Sequence, residues 1–321
     1  MRERRVSMNK TELKRLLIYL AFSFGLAYAW FFVTNMKFVK WQDLSNPMQS
    51  FIALGMLAPL LSHILTRLVT KEGFKLSGKD SMMLGISFKN GKWIFFLIAI
   101  LLPWIYLELS NALTILFFRE LYDPEYYVSL EIDKRLLNIF PLAAIVSGVF
   151  GSFAAFGEEA GWRGYMMPKL LKLFGADEDT SLSKGKKLRA TILACITGGI
   201  IWGLWHAPLT CIGHNFGTDY PGFPFVGIAR MCLFCTLMGI MLTFVTVKSG
   251  SVWPAAIMHA VNNAGPSILN GYINPERAGT WITKYFSGIW QMAVMLILAI
   301  ICLTLLLSDK SKIRVKECIE N

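Results

Sequence analysis

Apolar runs of close to twenty residues recur along the whole of this 321-residue sequence, and no soluble fold of this size can bury all of them. They fall at about Leu16 to Thr34, Met48 to Val69, Trp93 to Phe118, Ile139 to Gly157, Leu188 to Ile212, Pro224 to Val247, Val252 to Leu269 and Ser287 to Leu307. Each has the length an α-helix needs to cross a hydrocarbon core about 30 Å thick. Backbone groups find no partners in lipid, so the expected fold is all-α, a polytopic integral membrane protein of about eight transmembrane helices. Composition agrees, because 55% hydrophobic against 17% charged residues leaves more apolar surface than a soluble domain covers. Residues 1–321 read as a single membrane domain without internal repeats or a soluble extension.

The net charge of +11 points to membrane topology before nucleic acid, because the basic residues are segregated. With eight spans, segments on the side of the N-terminus hold 24 Lys and Arg and the opposite segments hold 7. The positive-inside rule then puts both termini in the cytoplasm. The first apolar run follows Arg2, Arg4, Arg5, Lys10, Lys14 and Arg15 and has no small-residue cleavage site, so it reads as a retained span. Trp30, Trp41, Trp93, Trp253 and Trp281 lie near proposed span ends, where indoles anchor at the interface. The stretch from Gly175 to Lys187, with Asp177, Glu178 and Asp179, reads as a solvated loop.

Five of the six cysteines, Cys195, Cys211, Cys232, Cys235 and Cys302, sit in or beside apolar runs, where cysteine acts as a small hydrophobe. Cys232 and Cys235 form a CxxC with no second pair, which makes neither a zinc site nor a disulfide framework.

Ionisable groups inside a membrane are costly and mark function by default. They are Glu108, Glu158, Glu159, Arg163, His206, Arg230 and His259, with His63 a weaker candidate. Glu108 and Arg230 both fall in outer halves of spans and are placed to pair. Glu158 and Glu159 project about 100° apart on a helix, so their roles should differ. Glu159 precedes Arg163 by four residues, the spacing of an intrahelical ion pair, which leaves Glu158 available. The surrounding Gly148, Gly151, Gly157, Gly161 and Gly164 let neighbouring helices approach closely.

His206 shares a helix face with Trp202, and His259 shares one with Asn263. Three spans thus contribute polar groups able to add water to a carbonyl. Glu158 and His206 would take the proton, and His259 and Asn263 would stabilise the oxyanion. For these groups to meet, the fourth helix must continue towards Pro168, or the fifth must tilt or start late.

The segment Glu158-Glu159-Ala160-Gly161-Trp162-Arg163-Gly164 resembles the EExxxR motif of the CPBP family, the intramembrane glutamic proteases that include the type II CaaX prenyl endopeptidases. Tyr165-Met166-Met167-Pro168 is similar to that family's continuation. Trp202 to His206 resembles its FxxxH motif, with Trp202 in place of phenylalanine, and His259 to Asn263 its HxxxN motif. The resemblance implies a catalytic core within 141–265 and a metal-independent glutamic endopeptidase with no cofactor. Its catalytic residues would be Glu158, His206, His259 and Asn263, supported by Glu159, Arg163 and Trp202. The implied substrates are membrane-associated peptides or lipidated proteins, CaaX-like or bacteriocin-type, reached from the cytoplasmic side of a prokaryotic cell membrane. The bilayer is the other partner, and nucleic acid is not expected. Oligomeric state is not legible.

Two alternatives stay open here. The same carboxylates and imidazoles could bind zinc in a membrane protease, although there is no HExxH and Asn263 is a poor ligand. A non-proteolytic bacteriocin-immunity protein or regulatory scaffold could retain the motifs. The C-terminal Cys318-Ile319-Glu320-Asn321 imitates a CaaX box, but Glu320 is not aliphatic and the match reads as coincidence.

Overall fold

The computed structural model describes residues 2–37, 53–78, 80–176, 183–279 and 288–308. Trp41, Trp281, Asp177 to Asp179 and the C-terminal tetrapeptide lie outside the described residues. The long helices are α1 (Arg2–Lys37), α2 (Ala58–Thr70), α3 (Trp93–Phe117), α4 (Lys134–Gly161), α5 (Met167–Phe174), α6 (Lys184–Trp205), α7 (Phe225–Ser249), α8 (Trp253–Ala264) and α9 (Ile289–Ser308). Among the described residues there are helices, turns and an isolated antiparallel bridge between Tyr122 and Ile273, and seven stretches are long and apolar enough to cross a bilayer. The chain is a polytopic all-α integral membrane protein.

Helix ends follow local chemistry. The Asp133 carboxylate caps α4 by accepting from the Arg135 amide at 2.6 Å. Gly250, at φ 75°, closes α7 with its N–H on the Thr246 carbonyl at 2.8 Å. The seventh apolar run departs from the expected full-length span. Pro254 starts α8, and left-handed Gly265 followed by Pro266 stops it after 12 residues, about 18 Å of helix. Its N-terminal side meets the segment before α3, where the Val252 amide donates to Met83 O and the Trp253 indole to Leu84 O. Beyond α8 the chain meets the far end of α3, where Asp123 N donates to Tyr272 O and Asn274 N to Leu121 O. The chain from 252 to 274 therefore follows α3 from end to end, α-helical to Ala264 and then irregular apart from a 3-10 turn at Leu269–Tyr272. The segment beyond Ala264 packs on α3, and Gly271 lies against the Leu137 side chain of α4.

The fourth apolar run does continue past Glu158. α4 passes through a π-helical turn at Trp162–Met166 into α5, one unbroken 41-residue stretch to Phe174. Small residues let it nestle between neighbours. Gly148 lies against the Val261 backbone, and a Cβ on Gly161 would come within 2.6 Å of the Pro59 backbone and the Tyr19 hydroxyl.

Below the site an ion cluster ties α1, α2 and α5 together. Lys169 Nζ reaches Glu72 at 2.5 Å and Glu12 at 2.7 Å, and Tyr165 donates to Glu72 at 2.6 Å. Burial alone would raise the Glu72 carboxyl, but hydrogen bonds from Lys169, Tyr165 and Thr70 outweigh it and hold it at about 2, below its ordinary 4.5. The folded form therefore favours the ionised carboxylate. Its stabilisation is fully present above pH 4.5 and is lost as pH falls from 4.5 towards 2. In pH-dependent melts, wild type should lose an advantage over Glu72→Gln across that window. A constant difference between the two proteins down to pH 2 would contradict this assignment.

The proposed partnership of Glu108 and Arg230 is not formed. Glu108 instead accepts from the Ser267 hydroxyl at 2.5 Å, and the Arg230 guanidinium lies 4.6 Å from the Phe216 ring centroid. Ser267 stands in the irregular segment between α8 and the 3-10 turn at Leu269–Tyr272, and its hydroxyl satisfies the carboxylate more cheaply than a second buried charge would.

Candidate active site

Glu158 and Glu159 lie just before the π turn and face different neighbours. Glu158 is 2% exposed, and its Oε2 accepts two indole N–H groups, from Trp202 at 2.7 Å and Trp162 at 3.2 Å. Among the described residues it makes no ion pair, but it is not without partners. Trp162 is one turn along the same helix, and Trp202 reaches across from α6.

Glu159 is fully buried and does pair with Arg163, at 3.0 Å. The same carboxylate accepts from His259 Nδ1 at 2.9 Å, a link across a hundred residues that helical spacing does not reveal. With the Nδ1 proton directed at the carboxylate, His259 is left with Nε2 for other work. The Arg163 guanidinium lies 4.2 Å from the Trp202 ring centroid. Trp202 is therefore more than the aromatic wall its position suggests: it donates to Glu158, supports Arg163 and meets His259 edge-on at 5.4 Å.

His206 stands at the C-terminal end of α6, with Nδ1 2.9 Å from the Trp202 carbonyl. A carbonyl can only accept, so Nδ1 carries the proton and Nε2 the lone pair. Its ring is held edge-on by Trp205 at 4.9 Å.

Glu158, His206, His259 and Asn263 line one cavity of about 340 Å³, with Trp202 and Trp205 in its wall. Phe31, Met56, Leu209, Met231 and Phe234 give the cavity an apolar side. Glu159 and Arg163 stand behind it. His214 and Asn215 also line the cavity. They were not singled out from sequence because they follow the span in an irregular turn with no helical register. Burial and the neighbouring His206 lower the His214 pKa, so it is neutral near pH 7.

His63, the weaker candidate, is a strut. Its Nδ1 donates to the Ala160 carbonyl at 2.8 Å, and its Nε2 accepts from Arg67 at 2.7 Å, which uses both ring nitrogens. Cys232 and Cys235 have free thiols, and among the described residues no group of three or more His, Cys, Asp or Glu is arranged to hold a metal ion.

Residues 140–265 match the family model for type II CAAX prenyl endopeptidases of the Rce1-like kind. All seven residues singled out for the site fall inside that segment. A comparison with curated proteins finds no match.

Proposed function

We propose that this chain, whose residues 140–265 match the Rce1-like type II CAAX prenyl endopeptidase family, is a glutamic intramembrane endopeptidase with its catalytic core in residues 141–265. One observation carries the reading. A carboxylate oxygen and an imidazole lone pair, on Glu158 and His206, face the same cavity as a second imidazole and an amide, on His259 and Asn263.

The indoles of Trp202 and Trp162 occupy Glu158 Oε2, so Oε1 is the atom available to a water molecule. His206 offers Nε2. Both are acceptors, and together they align the water and take a proton as its oxygen attacks the peptide carbonyl. The oxyanion that forms needs donors. Asn263 supplies Nδ2, and His259 supplies Nε2–H when doubly protonated, with Glu159 as the counter-charge. As the C–N bond breaks, the proton held by Glu158 passes to the leaving amine, and the carbonyl carbon keeps the water oxygen as a carboxyl group whose remaining proton passes to His206 Nε2, leaving a new carboxylate. The basic loops support a topology with both termini cytoplasmic. The apolar cavity wall supports prenylated or otherwise hydrophobic peptides as substrates.

The direct test is to purify the protein into nanodiscs and follow hydrolysis of a fluorogenic farnesylated CaaX peptide with and without a chelator. Turnover that survives chelation is the expected result. Turnover abolished by the chelator and restored by zinc would replace this mechanism with a metal-dependent one. An intact protein that cleaves neither this peptide nor hydrophobic unprenylated ones would favour a scaffold.

A further inference from the structure

A line of polar side chains leaves the catalytic cluster through α8 and α3 and ends on α9. Asn263 Oδ1 accepts from Asn262 Nδ2 at 3.1 Å. Asn262 Oδ1 accepts from the hydroxyl of Tyr106, a residue 1% exposed in the middle of α3. Gln291 of α9 lies beside the same phenol oxygen. Tyr106 and Gln291 lie outside the three motifs and outside the segment that matches the family.

Each link in this line has one consistent direction. A phenol carries a single proton, so once that proton goes to Asn262 the oxygen can only accept, and the Gln291 amide N–H is the matching donor. Asn262, accepting at Oδ1, offers Nδ2 to its neighbour. That fills the oxygen of Asn263 and leaves Nδ2 as the polar atom to present to the cavity that Asn263 lines. The opposite rotamer would put a carbonyl oxygen there, which repels a developing oxyanion. Two amide orientations of nearly equal shape thus have opposite catalytic effects, and the relay selects one of them.

We propose that Tyr106 and Asn262 are positioning residues that hold the Asn263 amide with its N–H donor facing the reacting carbonyl. The inference rests on the peptidase reading above and adds residues that specify it. Nothing in it requires Tyr106 to touch substrate.

Tyr106→Phe deletes the hydroxyl and keeps the ring in its packing. On the farnesylated peptide, kcat should fall roughly tenfold with KM little changed, a part of the 10²–10³ that losing a whole oxyanion donor costs. In an Asn263→Ala background the same substitution should do almost nothing further, because its effect travels through an amide that is gone. An equal loss in both backgrounds would mean a general structural role and overturn the proposal. A second readout needs no turnover. In protein labelled with ¹⁵N-asparagine, the Asn263 side-chain amide pair, identified by its disappearance in Asn263→Ala, should shift in Tyr106→Phe. An unmoved pair refutes the relay, whereas a shifted pair in a protein that cleaves no peptide would sustain the relay and remove the peptidase reading.

Discussion

Glu158→Gln should reduce peptide hydrolysis by about 10²–10⁴-fold, some 3–5 kcal/mol in the barrier, while leaving the protein as stable as wild type. The geometry explains why both halves hold together. The two indole N–H groups on Oε2 require an acceptor there, and a glutamine carbonyl oxygen serves at the same 2.7 and 3.2 Å. That requirement fixes the amide, so the NH2 group replaces Oε1 at the position facing water. It cannot accept a proton. Glu158→Leu provides the contrast, because it strands two buried indole donors at about 1–3 kcal/mol each and should lose stability as well as activity. Turnover numbers on the farnesylated peptide and thermal melts of the three proteins measure both effects. Activity within a few-fold of wild type in Glu158→Gln would remove Glu158 as the base.

How much of this was legible beforehand depends on which interactions are local. The helical runs were, because crossing a bilayer imposes length and hydropathy on contiguous sequence. Even so, the run from Val252 to Leu269 reads as a full span only if Gly265 and Pro266 are treated as ordinary members of it. In the structure they end α8 at Ala264, and the polar Ser267 beyond them is what Glu108 binds. Hydropathy gives the depth of a side chain and says nothing of its azimuth, which is why Glu108 was matched with Arg230 from their common depth.

Within the site, the Glu159 to Arg163 pair follows from a spacing of four on one helix. The same spacing joins Glu158 to Trp162 and could have been read the same way. Glu159 to His259, Trp202 to Glu158 and Tyr106 to Asn262 could not, since each joins helices whose relative rotation only packing decides. The motifs marked which residues matter. The hydrogen bonds among them assign the free atoms, and those atoms define the chemistry.

The buried ion pair behind the cavity leads to the second large effect. Arg163 is 3% exposed, and its guanidinium sits between Glu159, the Trp202 ring and Gly239 of α7, where a Cβ would stand 3.2 Å from Nη2. Replacing it with methionine keeps most of the packing and strips Glu159 of its main counter-charge. Such half-removed buried pairs are destabilised by about 3–5 kcal/mol, so Arg163→Met should unfold at markedly lower denaturant in mixed micelles. Adding Glu159→Gln removes the stranded carboxylate, and the double variant should recover most of that loss, since two neutral side chains have no desolvation cost to offset. Activity should not recover with it. His259 would then face an amide in place of a carboxylate, lose the counter-charge that supports its doubly protonated form, and give up its share of oxyanion stabilisation, about 10²-fold or more in kcat. Recovery of stability and turnover together would mean that the pair serves folding alone and that Glu159 does nothing for His259.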